Sequence, residues 1–242
     1  MVIKVSGEGK KETTLREILR GKGHTVRETD ADVWVMPLPY SKAEEKETDA
    51  LRDGTRLIVG ITDERFAEAA RGRGCVLHCI LKDDAYTAQN TLLSAEGAIF
   101  FAMARADIAL NDSACLVIGN GRLGTALYRM LTGLGARVTV AARRQTDLHE
   151  MPMEKLREAL PRFDFVFNTV PSPILTRKEL QNASNKTLFL ELASAPYGID
   201  GQAAKELGLQ YALESGIPGR YCPGSSAMNI AEYLERSVLN HE

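Results

Sequence analysis

One short run of the sequence has the residue types and spacing of a phosphate-binding turn. Residues 119–124, with the sequence GNGRLG, place three glycines in a G-x-G-x-x-G pattern. Gly119 is expected to allow a tight turn, Gly121 to let a pyrophosphate approach the backbone, and Gly124 to let a helix pack closely on a strand. The N–H groups that begin such a helix favour a phosphate. The run predicts dinucleotide binding, and the alternative is a tight turn without a ligand.

The segments around this run predict the secondary structure that a dinucleotide site requires. Residues 114–118 form an apolar run typical of a buried strand, residues 125–134 have a helical pattern, and residues 137–141 predict the next strand. A strand, a glycine turn, a helix and a second strand make a βαβ unit, and this context raises the specificity of the glycine pattern.

Two arginines follow the second strand of this predicted βαβ unit. NAD sites hold the ribose 2′-hydroxyl with a carboxylate near this position. Here the position is occupied by Arg143 and Arg144, and the first acid is Asp147. Because guanidinium groups bind phosphates bidentately, the pair favours NADP over NAD. The alternative is that both arginines are solvated surface charges.

Three later strand ends are expected to face the nicotinamide or its ribose, since ligands of open parallel sheets lie beyond the carboxyl ends of the strands. They are residues 168–171, 193–194 and 215–220. Pro171 and Pro173 would by themselves explain an ordinary turn at the first of these. The residues predicted to bind the cofactor are Gly119, Asn120, Gly121, Arg122, Leu123, Gly124, Arg143, Arg144, Thr169, Val170 and Pro171.

A long helix predicted over residues 88–106 supplies candidate substrate and catalytic groups. Asn90, Ser94 and Glu96 lie near its start. If this helix links two lobes, its first turns pass the cleft between them, so Asn90 and Glu96 are predicted catalytic residues and Ser94 a substrate ligand. Glu96 is a candidate base. The alternative is a glutamate that only complements the helix dipole.

A second candidate substrate site lies near the end of the sequence. A helix is predicted over residues 228–239, with Ser225 or Ser226 as its N-cap. The same hydroxyl and N–H groups would suit a substrate carboxylate, together with Arg220 and Asn229. A plain helix cap is an equally good interpretation of these serines.

The sequence offers few groups for acid–base chemistry. It contains no Ser-His-Asp pattern and no Walker loop, and none of its four histidines falls in the predicted cleft. A dehydrogenase of hydroxy acids normally needs a base for the hydroxyl proton. The pattern favours a reaction that needs little such help, such as oxidation of a dihydro ring to an aromatic one. A rival, resembling shikimate dehydrogenase, would use Lys82 with Asp83 or Asp84.

The four cysteines do not indicate a disulfide scaffold in a chain of 242 residues. Cys75 and Cys79 flank His78, but the spacing matches no common zinc pattern, so no metal site is predicted. With Cys115, they are expected to be buried structural thiols.

The composition is that of a globular protein: 44% of the residues are hydrophobic and 26% are charged. A net charge of -2 gives no basic surface for nucleic acid. No apolar run is long enough for a membrane span, and residues 1–7 lack the apolar core of a signal peptide, so a cytoplasmic location is expected.

The alternation of short apolar strands and helices predicts an α/β protein with parallel sheets. Residues 1–89 are predicted to form a smaller, flavodoxin-like lobe that the C-terminal helix, residues 226–242, joins. Residues 90–225 are predicted to form the interdomain helix and a doubly wound Rossmann domain. Residues 216–224 are expected to be a Gly/Pro loop.

Several segments resemble the dipicolinate synthase A-subunit family. They are NTLLSAEGA at 90–98, the glycine run at 119–124, LGARVTVAAR at 134–143, FNTVP at 167–171, LAS at 192–194 and GIPG at 216–219. They occur in the family's order between residues 53 and 234. The first and last of these segments are not general Rossmann features, which makes the resemblance specific.

The resemblance implies an NADP-dependent oxidation of dihydrodipicolinate to dipicolinate, the calcium-binding acid of bacterial spores. It also implies a place in the cytoplasm of the mother cell, a flavoprotein-like B subunit of dipicolinate synthase as partner, and an architecture like that of D-2-hydroxyacid dehydrogenases. Whether the chain forms a homo-oligomer is left open.

The sequence departs from the family in its short N-terminal lobe, where residues 6–10 match the family's opening poorly, and at two later places. Tyr197 stands where the family tends to have a glycine, and Gly224 to Ala227 replace a run that tends to begin with lysine. A lysine there would help to bind a dianion. A small dicarboxylate is the expected substrate, but its identity is left open because this lysine is absent. The alternatives are another small carboxylate or a non-catalytic cofactor-binding subunit.

Overall fold

The computed structural model describes residues 1–38, 51–143 and 150–239. Arg144 and Asp147, both noted in the sequence, lie outside the described residues. The chain divides into two compact units: a first unit of Met1–Asn90 with Pro218–Glu242, and a second unit of Thr91–Ile217. In the parts of the chain that the structure describes, no helix is long and apolar enough to cross a membrane.

The strands and helices are numbered along the chain. The strands are β1 (Val2–Val5), β2 (Thr25–Val26), β3 (Val33–Val35), β4 (Arg56–Val59), β5 (Val76–Cys79), β6 (Ala114–Ile118), β7 (Arg137–Ala142), β8 (Glu150–Pro152), β9 (Phe165–Asn168), β10 (Leu188–Glu191) and β11 (Gln210–Leu213). The helices are α1 (Lys10–Gly21), α2 (Glu64–Gly72), α3 (Asp84–Arg105), α4 (Arg122–Gly133), α5 (Leu156–Ala159), α6 (Arg177–Leu180), α7 (Gly201–Glu206), α8 (Ile217–Tyr221) and α9 (Pro223–Leu234). A π-helical turn, Glu235–Leu239, follows α9.

The first unit contains a parallel sheet with the strand order β2-β1-β3-β4-β5. This is the flavodoxin-like order of a doubly wound sheet. One face of the sheet packs on α1 and α9 in a common core, in which Ile3, Leu15, Leu19, Ile230 and Leu234 are buried. The C-terminal helix α9 is therefore part of the core of the first unit.

The second unit contains a parallel sheet with the order β11-β10-β9-β6-β7-β8. This is the Rossmann order, in which the direction of winding reverses between β6 and β9. All residues of β9 and β10 are buried, as expected for strands covered on both faces. The predicted fold class, an α/β protein with a Rossmann sheet and a flavodoxin-like lobe, is confirmed.

The long helix α3 begins earlier than the pattern predicts. It starts at Asp84 rather than Ala88, because the Asp83 carboxylate accepts a hydrogen bond from the Tyr86 N–H at 2.7 Å and so caps the first turn. The spacing of apolar residues along this helix predicts that Leu92, Ala95, Ile99, Ala102 and Met103 form its buried face, and this prediction is partly wrong. Leu92 and Met103 are 45% and 57% exposed, whereas Leu93 is buried.

The region before the C-terminal helix is helical, so the prediction of a loop over residues 216–224 is wrong. Residues Ile217–Tyr221 form α8, and α9 begins at Pro223 instead of Met228. Proline is favoured in the first turn of a helix, where its missing N–H would have no helical partner. Glycine and proline predict a loop in this region, but they also occur where helices begin, and both α8 and α9 begin here.

Leu116 provides a test of the core of the second unit. It is fully buried in the centre of β6, so Leu116→Ala is expected to lower the free energy of unfolding by about 3 kcal/mol through lost burial and a residual cavity. Urea denaturation measures this value. Leu134→Ala is the matched control, since Leu134 is 47% exposed and its loss should cost less than about 0.5 kcal/mol. Equal effects of the two variants would contradict the assignment of this core.

Candidate functional site

The glycine turn after β6 depends on two close backbone approaches. Gly119 has a φ of +101°, and its N–H donates to Ala141 O at 2.8 Å. A Cβ at this position would lie 2.6 Å from Thr169 Oγ1 and 2.7 Å from a methyl carbon of Val170. A Cβ at Gly124 would lie 2.0 Å from the Gly119 carbonyl oxygen. The conformation at Gly119 and the spacing at Gly124 therefore both require glycine.

Gly121 differs from the other two glycines of the turn. Its φ of -72° suits any residue, and a Cβ there would meet no protein atom within 4 Å. Gly121 is the N-cap of α4 and supplies no side chain to cap the helix. Packing within the protein thus does not explain the glycine, whereas close approach of a phosphate to the helix N-terminus would.

A cavity of about 620 Å³ opens beside this turn, beyond the carboxyl ends of β6, β7 and β9. Its size falls within the usual range for small-molecule sites. Every predicted cofactor residue lines it except Arg144, which is not described, and Gly124, which packs against the Gly119 carbonyl group. The lining residues are Gly119, Asn120, Gly121, Arg122, Leu123, Ala142, Arg143, Met153, Thr169, Val170 and Pro171.

Two lining residues, Ala142 and Met153, were not predicted from the sequence. Ala142 is the last residue of β7, and its position beside Arg143 could have indicated it. Met153 begins a 3-10 turn directly after the short strand β8. No local pattern marks β8, so the sequence carries no signal that would place Met153 in the cavity.

The charges of the cavity suit an anionic ligand. Its charged lining residues are Arg122 and Arg143, and among the described residues no Asp or Glu lines it. Arg143 directly follows β7, on the side of the sheet where a Rossmann domain holds the adenosine ribose. The donor set therefore fits a dinucleotide, and an arginine stands where a carboxylate would select NAD.

The wall of the cavity opposite Arg143, at the end of β9, is held by two hydrogen bonds to one backbone oxygen. The Thr169 hydroxyl donates to Ile118 O at 2.8 Å, and the Thr169 N–H donates to the same oxygen at 3.0 Å. These bonds tie the end of β9 to the start of the glycine turn. Val170 and Pro171 follow and line the cavity.

Asn168, expected with residues 169–171 to face the nicotinamide, is instead buried behind this wall and pairs with Glu191, which was not predicted from the sequence. Asn168 and Glu191 are both fully buried, and Asn168 Nδ2 donates to Glu191 Oε1 at 2.7 Å. A glutamate at the end of an apolar run carries no signal of its own. Three of its four donors are N–H groups of the loop that follows it, and only the Asn168 amide comes from another strand.

The predicted substrate and catalytic residues lie in both units, and none of them lines this cavity. In the second unit, Glu96 is exposed and Ser94 is half-buried on α3. In the first unit, Asn90 is half-buried and Arg220 is exposed. Asn229 is buried, and its Nδ2 donates to Tyr86 O at 3.1 Å, so it links α9 to α3.

The prediction that Ser225 or Ser226 is the N-cap of the last helix is wrong. Because α9 begins at Pro223, the N-cap is Cys222, and both serines lie inside the helix. Ser226 is buried and its N–H donates to Cys222 O at 3.0 Å. Ser225 is the exposed member of the pair.

In the rival pair of Lys82 and Asp83, the acid is held in structural contacts. Lys82 is exposed, while the Asp83 carboxylate accepts from the Tyr86 N–H and from Arg236, each at 2.7 Å. Burial raises the pKa of Asp83, but its hydrogen bonds and the positive charge of Arg236 together outweigh this effect and hold the pKa below its usual value. The carboxylate has a structural role in tying α3 to the C-terminal π-helical turn.

The cysteines and His78 show the effects of burial. Cys75 and Cys115 are buried, as expected, and burial raises the pKa of the Cys115 thiol to about 11. Cys79 is only half-buried. Burial and the charge of Arg56 lower the pKa of His78. Over residues 1–38, 51–143 and 150–239, no group of three ligating side chains is placed to hold a metal ion.

Comparison with known proteins gives the class of the second unit. Residues 95–197 match the NAD-binding domain of the D-isomer specific 2-hydroxyacid dehydrogenases. This segment contains the glycine turn and all the lining residues of the cavity. The second unit is therefore similar to the nicotinamide dinucleotide-binding domain of this class of oxidoreductase.

A more particular similarity is to the A subunit of dipicolinate synthase. The chain is 32% identical over 176 residues to that protein of Bacillus subtilis, and the match covers 69% of this chain and 59% of the relative. The chain therefore matches about three fifths of the length of that relative. The resemblance stated from the sequence segments is confirmed.

Two solved structures of dipicolinate synthase A subunits share the fold. The structure from Bacillus subtilis has a TM-score of 0.81 at 23% identity, over 97% of this chain and 94% of that one. The structure from Bacillus halodurans has a TM-score of 0.85 at 21% identity, over 97% and 96% of the respective chains.

The contrast between two glycines of the turn is testable. Gly124→Ala is expected to lower the free energy of unfolding by about 2 kcal/mol or more, because its methyl group would overlap the Gly119 carbonyl oxygen. Gly121→Ala serves as the matched control and should cost no more than about 1 kcal/mol, since its methyl group has open space. Thermal or urea unfolding followed by circular dichroism gives both values. Similar stability of the two variants would argue against the geometry of the turn.

Proposed function

We propose that this chain is an NADP-dependent oxidoreductase that oxidises dihydrodipicolinate to dipicolinate. The observation that carries the proposal is the cavity beside the glycine turn, with Arg143 at one wall and Val170 and Pro171 at the other. The similarity to the dipicolinate synthase A subunit supports the choice of substrate. The shared dehydrogenase domain supports the reaction class.

Different lining residues of the cavity would hold different parts of the cofactor. Residues 119–123 would hold the pyrophosphate, with Gly121 leaving room for it at the N-terminus of α4. Arg143 would bind the 2′-phosphate through its guanidinium group. Arg144, outside the described residues, is proposed as a second contact to this phosphate. Residues 169–171 would lie against the nicotinamide half.

The reaction needs little from the protein beyond positioning. NADP⁺, held by residues 119–123 and Arg143, would supply the acceptor for a hydride. The dihydro ring loses that hydride and one proton, and the gain of aromaticity favours the product. The protein orients the cofactor through the turn and the wall at Val170, and holding two reactants in register supplies a large part of the rate.

The groups that handle the substrate are proposed from their residue types and exposure. The Glu96 carboxylate is exposed and is the candidate acceptor for the proton. Asn90, Arg220 and Ser225 are the candidate ligands of the substrate carboxylates, and Ser225 is preferred to Ser226 because it is exposed. Ser94 and Asn229 are further candidates, and the Asn229 amide donates to Tyr86 O.

The similarity also supports a partner and a location. Since the relative is named as the A subunit of dipicolinate synthase, we propose that this chain associates with the B subunit of such an enzyme. We propose a cytoplasmic role in spore formation on the same ground.

Cofactor selectivity tests the role of Arg143. Arg143→Asp is expected to weaken NADPH binding by about tenfold or more, because a charge-assisted contact to the 2′-phosphate is lost and a repulsion is added. NADH binding should change little. Isothermal titration calorimetry with both dinucleotides measures the ratio. Arg129→Asp, on the exposed face of α4 and outside the cavity, makes the same charge change and should leave the ratio unaltered. Equal weakening of both dinucleotides by Arg143→Asp would refute NADP selectivity.

Turnover tests the proposed substrate. The purified chain with NADP⁺ and dihydrodipicolinate is expected to form NADPH and dipicolinate, which are followed by absorbance and by chromatography. Gly121→Ala is expected to abolish most of this activity while the fold is retained, because its methyl group occupies the space of the pyrophosphate.

The same assay with the B subunit added separates the alternatives. Turnover by the chain alone excludes a purely non-catalytic role. Absence of turnover both alone and with the B subunit would contradict the proposed reaction.

A further inference from the structure

The carboxyl ends of β9 and β10 meet around a carboxylate that the proposed chemistry does not use. Glu191, the last residue of β10, is fully buried. Its Oε1 accepts from Asn168 Nδ2 at 2.7 Å and from the Ala193 N–H at 2.9 Å. Its Oε2 accepts from the N–H groups of Gly198 and Ile199, each at 2.8 Å. The carboxylate thus joins two strand ends and the loop that follows β10.

All four donors to Glu191 are neutral amide N–H groups. Burying a carboxylate costs several kcal/mol unless it is well hydrogen-bonded, and an apolar residue of similar size often serves stability as well or better. A carboxylate kept under these conditions fits a role in fixing geometry. Its acceptor-only oxygens can hold four donors at once, which neither an amide nor a hydroxyl can do.

Glu191 sets the orientation of the Asn168 side chain. The Asn168 amide must direct its NH₂ group to the carboxylate, because its oxygen would be repelled there. In this orientation Asn168 Nδ2 also donates to Val170 O at 3.1 Å, and Asn168 Oδ1 accepts from the Val170 N–H at 3.2 Å. Both backbone polar groups of Val170 are therefore held by one side chain.

Gly198 fits the same cluster from the other side. A Cβ at Gly198 would lie 2.4 Å from Asn168 Nδ2 and 2.7 Å from Val170 O. The loop after β10 therefore packs directly on the groups that fix Val170, and Glu191 holds that loop through the Gly198 N–H.

We infer that Glu191 is a positioning residue: through Asn168 it fixes Val170, and so the wall of the cavity against which the nicotinamide half of the cofactor lies. Val170 lines the cavity on the β9 side, while Arg143 lines it on the β7 side. The inference rests on the proposed function for the identity of the cofactor. It requires that loss of the carboxylate affects one half of the dinucleotide only.

Binding of a whole cofactor and of its adenosine half tests the inference. In Glu191→Gln, an NH₂ group faces N–H donors, so Asn168 and Val170 are expected to shift. NADPH binding should weaken by about tenfold, which corresponds to one lost hydrogen bond of about 1.4 kcal/mol. Binding of 2′,5′-ADP, which contains only the adenosine half, should stay within about twofold. Both are measured by titration calorimetry below the unfolding transition of each variant.

Two further variants separate positioning from general stability. Thr187 directly precedes β10, at the end opposite to Glu191. The Thr187→Val variant removes a buried hydrogen bond from the Thr187 hydroxyl to Phe163 O at 2.6 Å. It should lower the melting temperature without changing either affinity. If Glu191→Gln does not fold, Gly198→Ala provides the test in its place. This variant displaces Asn168 and Val170 while the carboxylate stays intact, and it should show the same selective loss of NADPH binding.

The outcomes are distinct. Equal weakening of both ligands by Glu191→Gln, no weakening of either, or the same pattern in Thr187→Val would overturn the inference. If the unaltered chain binds neither NADPH nor 2′,5′-ADP, the proposed cofactor is wrong and the inference falls with it.

Discussion

The structure of the candidate site depends on how closely the chain approaches itself at the end of β6. The left-handed conformation of Gly119 turns the chain there, and the Thr169 hydroxyl and the Val170 side chain fill the space that a Cβ would need. The Gly119 carbonyl oxygen in turn lies against Gly124. These contacts place the start of α4, the end of β9 and the cavity between them in one fixed arrangement. A single larger residue at either glycine would separate the helix from the sheet.

The order of the parallel strands then distributes the chemistry around this turn. Since β7 and β9 are the two neighbours of β6, residues after β7 form one wall of the cavity and residues after β9 the other. The positive charges of Arg122 and Arg143 face the cavity, while the Glu191 carboxylate is buried behind the wall and directed at amide donors. This separation keeps negative charge away from the phosphates and still uses a carboxylate to fix the wall. Under the proposed function, the adenosine half is selected by charge and the nicotinamide half by shape.

Much of this arrangement follows from the sequence, and the failures have physical reasons. The βαβ unit around residues 114–141 is predictable because its strands are continuous apolar runs and its turn needs particular glycines. The start of α9 at Pro223 is not, since proline and glycine favour a loop and a helix start alike. The exposure of Leu92 on α3 depends on tertiary packing, which an apolar pattern does not give in detail. Glu191 could not be identified because its donors are brought together by the fold of the loop after β10 and by the pairing of β9 with β10, and no local sequence pattern shows either.

The central claim is that the cavity beside the glycine turn binds a phosphorylated nicotinamide dinucleotide. Titration of the unaltered chain with NADPH and with NADH, followed by calorimetry, tests it most directly. We predict one NADPH site per chain and tighter binding of NADPH than of NADH. Absence of binding for both dinucleotides would contradict the claim, and tighter binding of NADH would contradict the assigned role of Arg143.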